Sequence, residues 1–175
     1  IHIVGGALTG LLTAYCASLW GYSIVISEKR ELALYNEKSP SDKRTTAIAE
    51  GSKIFLDSKG LWRFIKSFAE PIKKIKVIDR KPNKIIDFSN SEKNKNLGYI
   101  IKNQNFIHIV LKELIKRKNV KICDNLKLQS INYSFNKIIC GFEKIKISSK
   151  LLVAADGKKS TIRSIKNTGY YKKNY

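Results

Sequence analysis

The sequence predicts an α/β fold with a parallel sheet and an antiparallel meander. A strand, a glycine-rich turn, a helix and a second strand occupy the first 28 residues. Near the other end, the apolar run 151–155 leads directly into Asp156-Gly157, and β-rich segments between 126 and 148 turn at Asn136. A strand–helix–strand unit requires a parallel sheet, whereas closely spaced strands joined by tight turns pair in antiparallel fashion.

Each further element follows from its local pattern. Apolar spacing typical of a helix occurs at residues 11–20, 53–59, 61–65, 105–117 and 160–166. Gly21 and Gly60 are placed to end the first two helices, and we expect the third to end near Pro71. The polar residues 31–43, which include Pro40, predict a long loop. Strands are expected at residues 1–4, 22–27, 44–49, 72–79, 85–88, 97–101, 120–122, 126–135, 137–142, 144–148 and 151–155, with a hairpin turn at Pro82-Asn83.

Composition indicates a folded chain with a large positive charge. The 175 residues are 43% hydrophobic and 10% aromatic, with a formal net charge of +20. Only 6 basic residues are Arg and 28 are Lys, spread along the chain. Because bidentate contacts to bases and phosphates favour Arg, we expect a solvated basic surface and no nucleic-acid partner. A basic face for nucleic acid or an anionic membrane is the alternative.

Several classes of site and location are disfavoured by what the sequence does not contain. There is no apolar run of about 18 residues and no signal-peptide pattern, so we expect no transmembrane helix and a cytoplasmic location. Cys16, Cys123 and Cys140 lack the spacing of a disulfide framework or a Zn site, and we expect no metal. His2 and His108 form no readable Ser/His/Asp grouping.

The turn after the first strand has the composition of a phosphate-binding turn. Gly5 permits the tight turn, Gly10 lets the helix pack closely, and the intervening N–H groups can hold a pyrophosphate. Ala7 replaces the middle glycine of the Gly-x-Gly-x-x-Gly pattern. Glu28, at the end of the second strand, is placed to accept hydrogen bonds from an adenosine ribose. These residues indicate NAD or FAD, with a structural turn beside a surface Glu as the alternative.

Four stretches occur together in an order typical of one enzyme family. They are residues 3–10 (IVGGALTG), 42–49 (DKRTTAIA) with Gly60-Leu61-Trp62, 98–103 (GYIIKN), and 152–163 (LVAADGKKSTIR). Together they resemble the flavin-dependent aromatic hydroxylases with the fold of p-hydroxybenzoate hydroxylase, and most closely the ubiquinone-biosynthesis branch. The resemblance spans essentially the whole chain, and the last stretch is the most specific. It implies a Rossmann-like FAD-binding domain over 1–175, with 72–101 partly contributing to the sheet of a β-rich substrate domain whose remainder lies outside this chain.

The resemblance assigns cofactor contacts residue by residue. The residues assigned to FAD are Gly5, Gly6, Ala7, Gly10, Glu28, Arg44, Asn103, Asp156, Gly157 and Arg163. Those of the glycine turn would hold the pyrophosphate, and Glu28 would bind the adenosine ribose. Arg44 and Asn103 would contact the pyrophosphate and ribityl region, with a surface cation and a helix N-cap as the alternatives.

The Asp-Gly stretch is assigned in the same way. Asp156 would accept a hydrogen bond from a ribityl hydroxyl, Gly157 would allow the turn, and Arg163 would brace the motif. The alternatives are a plain turn for Asp156-Gly157 and a surface ion pair for Arg163.

An activity also follows from the resemblance. It implies hydroxylation of an aromatic ring with O₂ and NAD(P)H, the substrate being a polyprenyl phenol of ubiquinone biosynthesis. Flavin chemistry does not rely on a protein nucleophile, so no catalytic residue is assigned, and this piece alone is expected to be inactive. A related FAD oxidoreductase, similar to a geranylgeranyl reductase or a halogenase, is the alternative. Peripheral association with the inner membrane and assembly with other ubiquinone-biosynthesis proteins are further expectations.

Overall fold

The structure, a computed structural model, describes residues 1–32, 43–78, 85–89, 96–169 and 171. The chain divides into two compact units. The first consists of Ile1–Ser39 and Val110–Tyr175, and the second is Pro40–Ile109. The first unit contains a parallel sheet and an antiparallel meander, whereas the second contains a three-stranded antiparallel sheet and a separate hairpin.

The described elements are twelve strands, five helices and one 3-10 turn. The strands are β1 His2–Val4, β2 Ile24–Ser27, β3 Thr45–Ala49, β4 Ala69–Ile72, β5 Lys74–Ile78, β6 Ile85–Ser89, β7 Gly98–Lys102, β8 Val120–Cys123, β9 Ser130–Ser134, β10 Lys137–Gly141, β11 Lys146–Ser149 and β12 Leu152–Ala154. The helices are α1 Leu8–Leu19, α2 Glu50–Ser58, α3 Trp62–Ile65, α4 Asn103–Ile115 and α5 Thr161–Ile165, with a 3-10 turn at Lys66–Phe68.

A four-stranded sheet of order β12-β1-β2-β8 forms the centre of the first unit. All three pairings are parallel, and Ile3 pairs with Val153 on one side and with Ile26 on the other. Parallel strands place their carboxyl ends at the same edge, so the glycine turn after β1 and the Asp-Gly turn after β12 lie side by side. The predicted parallel sheet is confirmed, and its strand order places these two motifs at one edge.

This sheet is packed on both faces. His2 and Val4 face the meander β9–β10–β11, whose core includes Ile131, Cys140 and Phe142. Because side chains alternate along a strand, Ile3 points to the opposite face, where α1 packs against β1 and β2. The meander turn has Asn136 in the left-handed conformation, with φ +57°. The predicted meander is therefore present, and it completes a three-layer arrangement.

In the second unit, the glycine cap predicted after α2 is confirmed. Gly60 has φ +70°, its N–H donates to the Asp57 carbonyl at 2.8 Å, and the Leu61 N–H donates to the Leu56 carbonyl at 2.9 Å. These are the two hydrogen bonds of a Schellman motif, which satisfies carbonyls that the helix end leaves unpaired. The helix itself begins at Glu50 rather than at Lys53, and an acidic first turn favours that earlier start.

The prediction of a helix ending near Pro71 is wrong. The helix ends at Ile65, and Pro71 lies in strand β4, opposite Tyr99 of β7. The sheet order is β3-β7-β4, so β4 is an edge strand. An edge strand tolerates a residue without an N–H. The predicted hairpin of β5 and β6 is confirmed by their antiparallel pairing, although its turn at Pro82-Asn83 and most of the predicted loop 31–43 lie outside the described residues.

The core of the first unit contains a fully buried histidine. The Nε2 atom of His2 lies 2.9 Å from Ser27 Oγ, and its Nδ1 atom has no hydrogen-bond partner. Burial lowers the pKa of His2 from 6.5 to about 4, because a charged ring would lose its hydration.

We expect this histidine to make the stability of the protein depend on pH. The unfolded chain binds a proton on His2 at a higher pH than the folded chain does. The neutral His2 ring therefore contributes fully to the free energy of unfolding above pH 6.5, and this contribution is lost as the pH falls towards 4. The free energy of unfolding should fall over this range by up to about 3 kcal/mol more in the parent than in His2→Gln. Urea unfolding of both proteins at several pH values measures this difference, and identical pH profiles would contradict it.

Candidate functional site

The glycines of the first turn are required by the packing of the protein itself. Gly5 has φ +118°, and a Cβ there would meet the Ala155 carbonyl oxygen and lie 2.9 Å from the Asp156 nitrogen. A Cβ on Gly10 would meet the Gly5 carbonyl oxygen and lie 3.3 Å from the Cβ of Ala155. The turn-forming role of Gly5 and the packing role of Gly10 therefore follow directly from the geometry.

Backbone N–H groups in this turn differ in what they contact. The Gly5 N–H donates to the Ser27 carbonyl at 2.8 Å, and the Gly6 N–H donates to Glu28 Oε2 at 2.7 Å. Leu8 and Thr9 lie in the first turn of α1, where N–H groups have no partner within the helix. Of the N–H groups between Gly5 and Gly10, that of Gly6 is therefore already engaged, whereas those of Leu8 and Thr9 can still donate to an anion.

Ala7, which replaces the middle glycine, precedes α1. Its backbone is extended, with φ −87° and ψ −179°, and its side chain is exposed. This conformation is open to any residue, so the fold of the turn does not require glycine here. The methyl group projects from the segment that a bound phosphate would approach.

Glu28 connects the glycine turn to the adjoining strands. Its Oε1 accepts from the Arg30 N–H at 3.2 Å, in addition to the contact of Oε2 with Gly6. Its own N–H donates to the Cys123 carbonyl at the end of β8. The carboxylate is partly buried and held at the carboxyl edge of the sheet, where each oxygen retains acceptor capacity.

A second carboxylate, which the sequence did not single out, supports the chain beyond Glu28. Asp124 follows β8, and its Oδ2 accepts from the Leu32 N–H at 2.9 Å. Leu32 in turn packs over Gly6, because a Cβ on Gly6 would lie 2.7 Å from the Leu32 side chain. A clue was available in the sequence, because Asp124 lies two residues after the predicted strand 120–122, although that strand was not assigned to the parallel sheet.

The Asp-Gly loop after β12 is organised by its own side chains. Asp156 Oδ2 accepts from the N–H groups of Thr161 at 2.6 Å and Ile162 at 3.1 Å, so it caps α5. Gly157 has φ +83°, which favours glycine. The Arg163 guanidinium donates to the Lys158 carbonyl at 2.7 Å, a contact that joins the loop to α5. The loop is thus more than a plain turn.

A groove of about 450 Å³ runs beside the two motifs. It is lined by Thr9, Ala154, Ala155, Asp156, Gly157, Ser160, Ile162, Arg163 and Thr168. Of these, only Asp156, Gly157 and Arg163 were predicted site residues, and the unpredicted ones include the hydroxyl side chains of Thr9, Ser160 and Thr168. Hydroxyl side chains are too common in sequence to be recognised as groove residues before the fold brings them together.

Arg44 and Asn103 belong to the second unit and lie together there. The Asn103 N–H donates to the Arg44 carbonyl at 3.0 Å, and Asn103 Oδ1 accepts from the Thr46 hydroxyl at 2.5 Å. This side-chain contact joins the first residue of α4 to strand β3. The remaining predicted site residues all belong to the first unit, at the carboxyl edge of its sheet.

The described ranges also show what this part of the chain does not contain. No three His, Cys, Asp or Glu side chains within them are grouped so that they could hold a metal ion. None of their helices has the length and apolarity needed to cross a bilayer.

Comparison with known proteins identifies the family. A family model described as "FAD binding domain" matches residues 1–171. The chain belongs to the FAD binding domain family. Membership of this family supports FAD rather than NAD, the two dinucleotides that the glycine turn left open.

Two curated members of similar sequence carry names from ubiquinone biosynthesis. Ubiquinone hydroxylase UbiL of Rhodospirillum rubrum is 24% identical over 172 residues, which are 97% of this chain and 39% of that protein. The mitochondrial ubiquinone biosynthesis monooxygenase COQ6 of Drosophila melanogaster is 24% identical over 190 residues, covering 99% of this chain and 39% of that protein. The chain thus spans about two fifths of the length of these relatives.

Solved structures show the same fold. The p-nitrophenol 4-monooxygenase PnpA of Pseudomonas putida superposes with a TM-score of 0.75 and 22% identity, over 94% of this chain and 42% of that one. The mixed α/β architecture of this FAD binding domain is therefore the one found in flavin-dependent monooxygenases.

The packing at Gly10 predicts a large effect of one methyl group. Gly10→Ala should lower the free energy of unfolding by about 2–3 kcal/mol, because the new Cβ would overlap the Gly5 carbonyl oxygen. Gly51→Ala, in α2, is the matched control, since a Cβ there meets nothing within 4 Å. It should be neutral or stabilising by up to about 1 kcal/mol. Urea unfolding distinguishes the two, and equal effects would exclude this account of the turn.

Proposed function

We propose that this chain is the FAD-binding portion of an NAD(P)H-dependent monooxygenase that hydroxylates an aromatic ring. The observation that carries the proposal is the meeting of the glycine turn and the Asp-Gly loop beside one groove at the sheet edge. A dinucleotide is an extended molecule with a central pyrophosphate, so it needs neighbouring motifs of this kind along one line.

The residues present fit FAD. The N–H groups of Leu8 and Thr9, at the positive end of the α1 dipole, would face the pyrophosphate. Glu28 would accept from the adenosine ribose, and Asp156 keeps Oδ1 for a ribityl hydroxyl while Oδ2 caps α5. When bound, FAD would supply the redox and oxygen chemistry, and the residues of this chain would hold and orient it.

The names of the two curated relatives support a more specific substrate. We propose a polyprenyl phenol of ubiquinone biosynthesis as the ring that is hydroxylated, with O₂ as co-substrate. Residues 72–101 would contribute to the sheet of a substrate domain formed mainly by later parts of the protein. So apolar a substrate is consistent with a cytoplasmic enzyme that is located peripherally at the inner membrane. It is also consistent with assembly of the enzyme with other proteins of the same pathway.

The first test is whether the full-length protein binds FAD and oxidises NAD(P)H. Titration followed by flavin fluorescence should give saturable binding of one FAD per chain. Oxidation of NADH or NADPH should then rise when a prenylated phenol is added, with a hydroxylated product visible by mass spectrometry. Absence of FAD binding would overturn the proposal, whereas FAD binding without hydroxylation of a phenol would overturn only the substrate.

The position of Glu28 predicts a graded loss of FAD affinity. Glu28→Gln keeps one acceptor and should cost about 1–2 kcal/mol of binding free energy, because a hydrogen bond to a charged acceptor is replaced by a weaker one to a neutral acceptor. Glu28→Arg should cost more, because it removes the acceptor and adds bulk beside Gly6. Glu143→Gln, on an exposed part of the meander, is the control and should bind like the parent. Equal affinity for all four proteins would place Glu28 away from the ribose.

The methyl group of Ala7 predicts the opposite change. Because the backbone there needs no glycine, Ala7→Gly removes only an obstacle to the phosphate. FAD affinity should rise by about threefold to tenfold, or roughly 0.7–1.4 kcal/mol. Ala7→Val should weaken binding, so the series Gly, Ala, Val should show falling affinity in the same titration. Unchanged or weaker binding by Ala7→Gly would refute the steric explanation.

A further inference from the structure

The loop that carries Glu28 begins where strand β2 ends. The parallel pairing of β2 with its neighbours stops at Ser27, so the sheet itself does not fix the residues that follow. Glu28 nevertheless holds a defined position, because its Oε2 accepts from the Gly6 N–H at 2.7 Å. Contacts outside the sheet must therefore hold this loop, and several of them come from the segment after β8.

Backbone hydrogen bonds join the Glu28 loop to the segment after β8. The Glu28 N–H donates to the Cys123 carbonyl at 3.0 Å, and the Glu28 carbonyl accepts from the Leu126 N–H at 2.9 Å. A longer contact of 3.3 Å joins the Asn125 N–H to the Arg30 carbonyl. The backbone pairing therefore weakens along the loop, since its last contact exceeds the usual limit of about 3.2 Å for such a bond.

A side chain holds the loop two residues further on. Asp124 Oδ2 accepts from the Leu32 N–H at 2.9 Å, and this contact is partly buried. A hydrogen bond from a backbone N–H to an ionised carboxylate is roughly twice as strong as one between neutral groups. Asp124 thus adds a strong contact beyond the point where the backbone pairing weakens.

The side chain of Leu32 packs over Gly6 and beside Glu28. A Cβ on Gly6 would lie 2.7 and 2.8 Å from the two methyl carbons of Leu32, and 3.1 Å from the Cβ of Glu28. Apolar cover of this kind keeps water from competing for the Gly6 N–H, and a hydrogen bond is stronger where the local dielectric is low. The position of Leu32 therefore affects how firmly Gly6 holds the Glu28 carboxylate.

We propose that Asp124 is a positioning residue for the adenosine end of FAD. By holding the Leu32 N–H, Asp124 keeps the Leu32 side chain over Gly6, and the Glu28 carboxylate then stays where it can accept from the ribose. Asp124 acts through Leu32 and Glu28 and makes no contact with the cofactor itself. The inference rests on the proposed function, because it requires that Glu28 binds the ribose of FAD.

Titration of FAD into variants of the full-length protein tests whether the acceptor on Asp124 sets the affinity. Asp124→Ala removes the acceptor and should weaken FAD binding about fivefold to tenfold. Asp124→Asn keeps an oxygen that can accept from the Leu32 N–H, so its affinity should fall by at most about twofold. Equal losses in the two variants would show that the negative charge or a direct contact matters, and would overturn the proposal.

Asn119→Ala is a matched control at the opposite end of β8. The Asn119 side-chain amide donates to the Ser18 carbonyl at 3.0 Å and to the Tyr22 carbonyl at 2.9 Å, so this variant also removes side-chain contacts to a distant backbone segment. Urea unfolding should show lower stability for both Asn119→Ala and Asp124→Ala, but only Asp124→Ala should bind FAD more weakly. A comparable loss of FAD affinity in both would show a general effect of stability and would overturn the proposal.

A double-mutant cycle tests whether Asp124 acts through Glu28. In a protein that already carries Glu28→Ala, the further change Asp124→Ala should weaken FAD binding by less than about twofold, because the carboxylate that Asp124 positions is gone. Losses that simply multiply in the double variant would show that the two residues act independently, and would exclude this route.

Hydrogen exchange of the cofactor-free protein separates this inference from the proposed function. The Leu32 and Gly6 amides should exchange faster in Asp124→Ala than in the parent, and Asp124→Asn should restore slow exchange. Unchanged exchange at both amides, or unchanged FAD affinity of Asp124→Ala beside a parent that binds FAD, would overturn this inference alone. A parent that binds no FAD would overturn the proposed function and this inference with it.

Discussion

The close approach of three backbone segments at one edge of the parallel sheet is the constraint on which the rest of this structure depends. The glycine turn after β1, the first turn of α1 and the end of β12 lie so near one another that a Cβ on Gly5 or Gly10 would overlap a carbonyl oxygen. Protein interiors are close-packed and tolerate little added volume, so this arrangement excludes other residues. It also brings the Asp-Gly loop beside the N-terminus of α1, which creates the groove.

At this edge of the sheet, the groups suited to hold an anion are backbone N–H groups rather than the lysines that give the protein its large positive charge. The N–H groups at the start of α1 and the helix dipole point at the position where a phosphate would lie. Carboxylates surround them: Glu28 contacts Gly6, and Asp156 caps α5. These acids organise neighbouring turns through backbone N–H groups, and they offer acceptors to the hydroxyls of a dinucleotide. Most of the 28 lysines are exposed, and none is among the residues that line the groove.

The second unit differs from the first in how completely its strands are covered. Strands β3, β7 and β4 pair in one sheet, and Trp62 packs edge-on against Tyr99 with ring centroids 4.8 Å apart. The hairpin β5–β6 pairs only with itself among the described strands and exposes apolar side chains. Among the described strands, β5 and β6 are therefore the ones in which every residue is exposed.

The sequence by itself determined the elements whose signals are local. The glycines of the first turn, the run of apolar residues before Asp156, the cap at Gly60 and the turn at Asn136 each depend on φ angles or periodicities that a few neighbouring residues specify. The resemblance at four stretches likewise identified the family, because those motifs are contiguous.

Tertiary structure alone decided what depends on distant pairing. Pro71 lies in a strand because residues 69–72 pair with β7 as the outer strand of the described sheet. Asp124 accepts from the Leu32 N–H although the two residues are 92 positions apart in the chain. The N–H groups of Gly5 and Gly6 are engaged by Ser27 and Glu28, so only part of the interval between Gly5 and Gly10 can donate to an anion. Such partners are fixed by which strands lie side by side, and no local pattern contains that information.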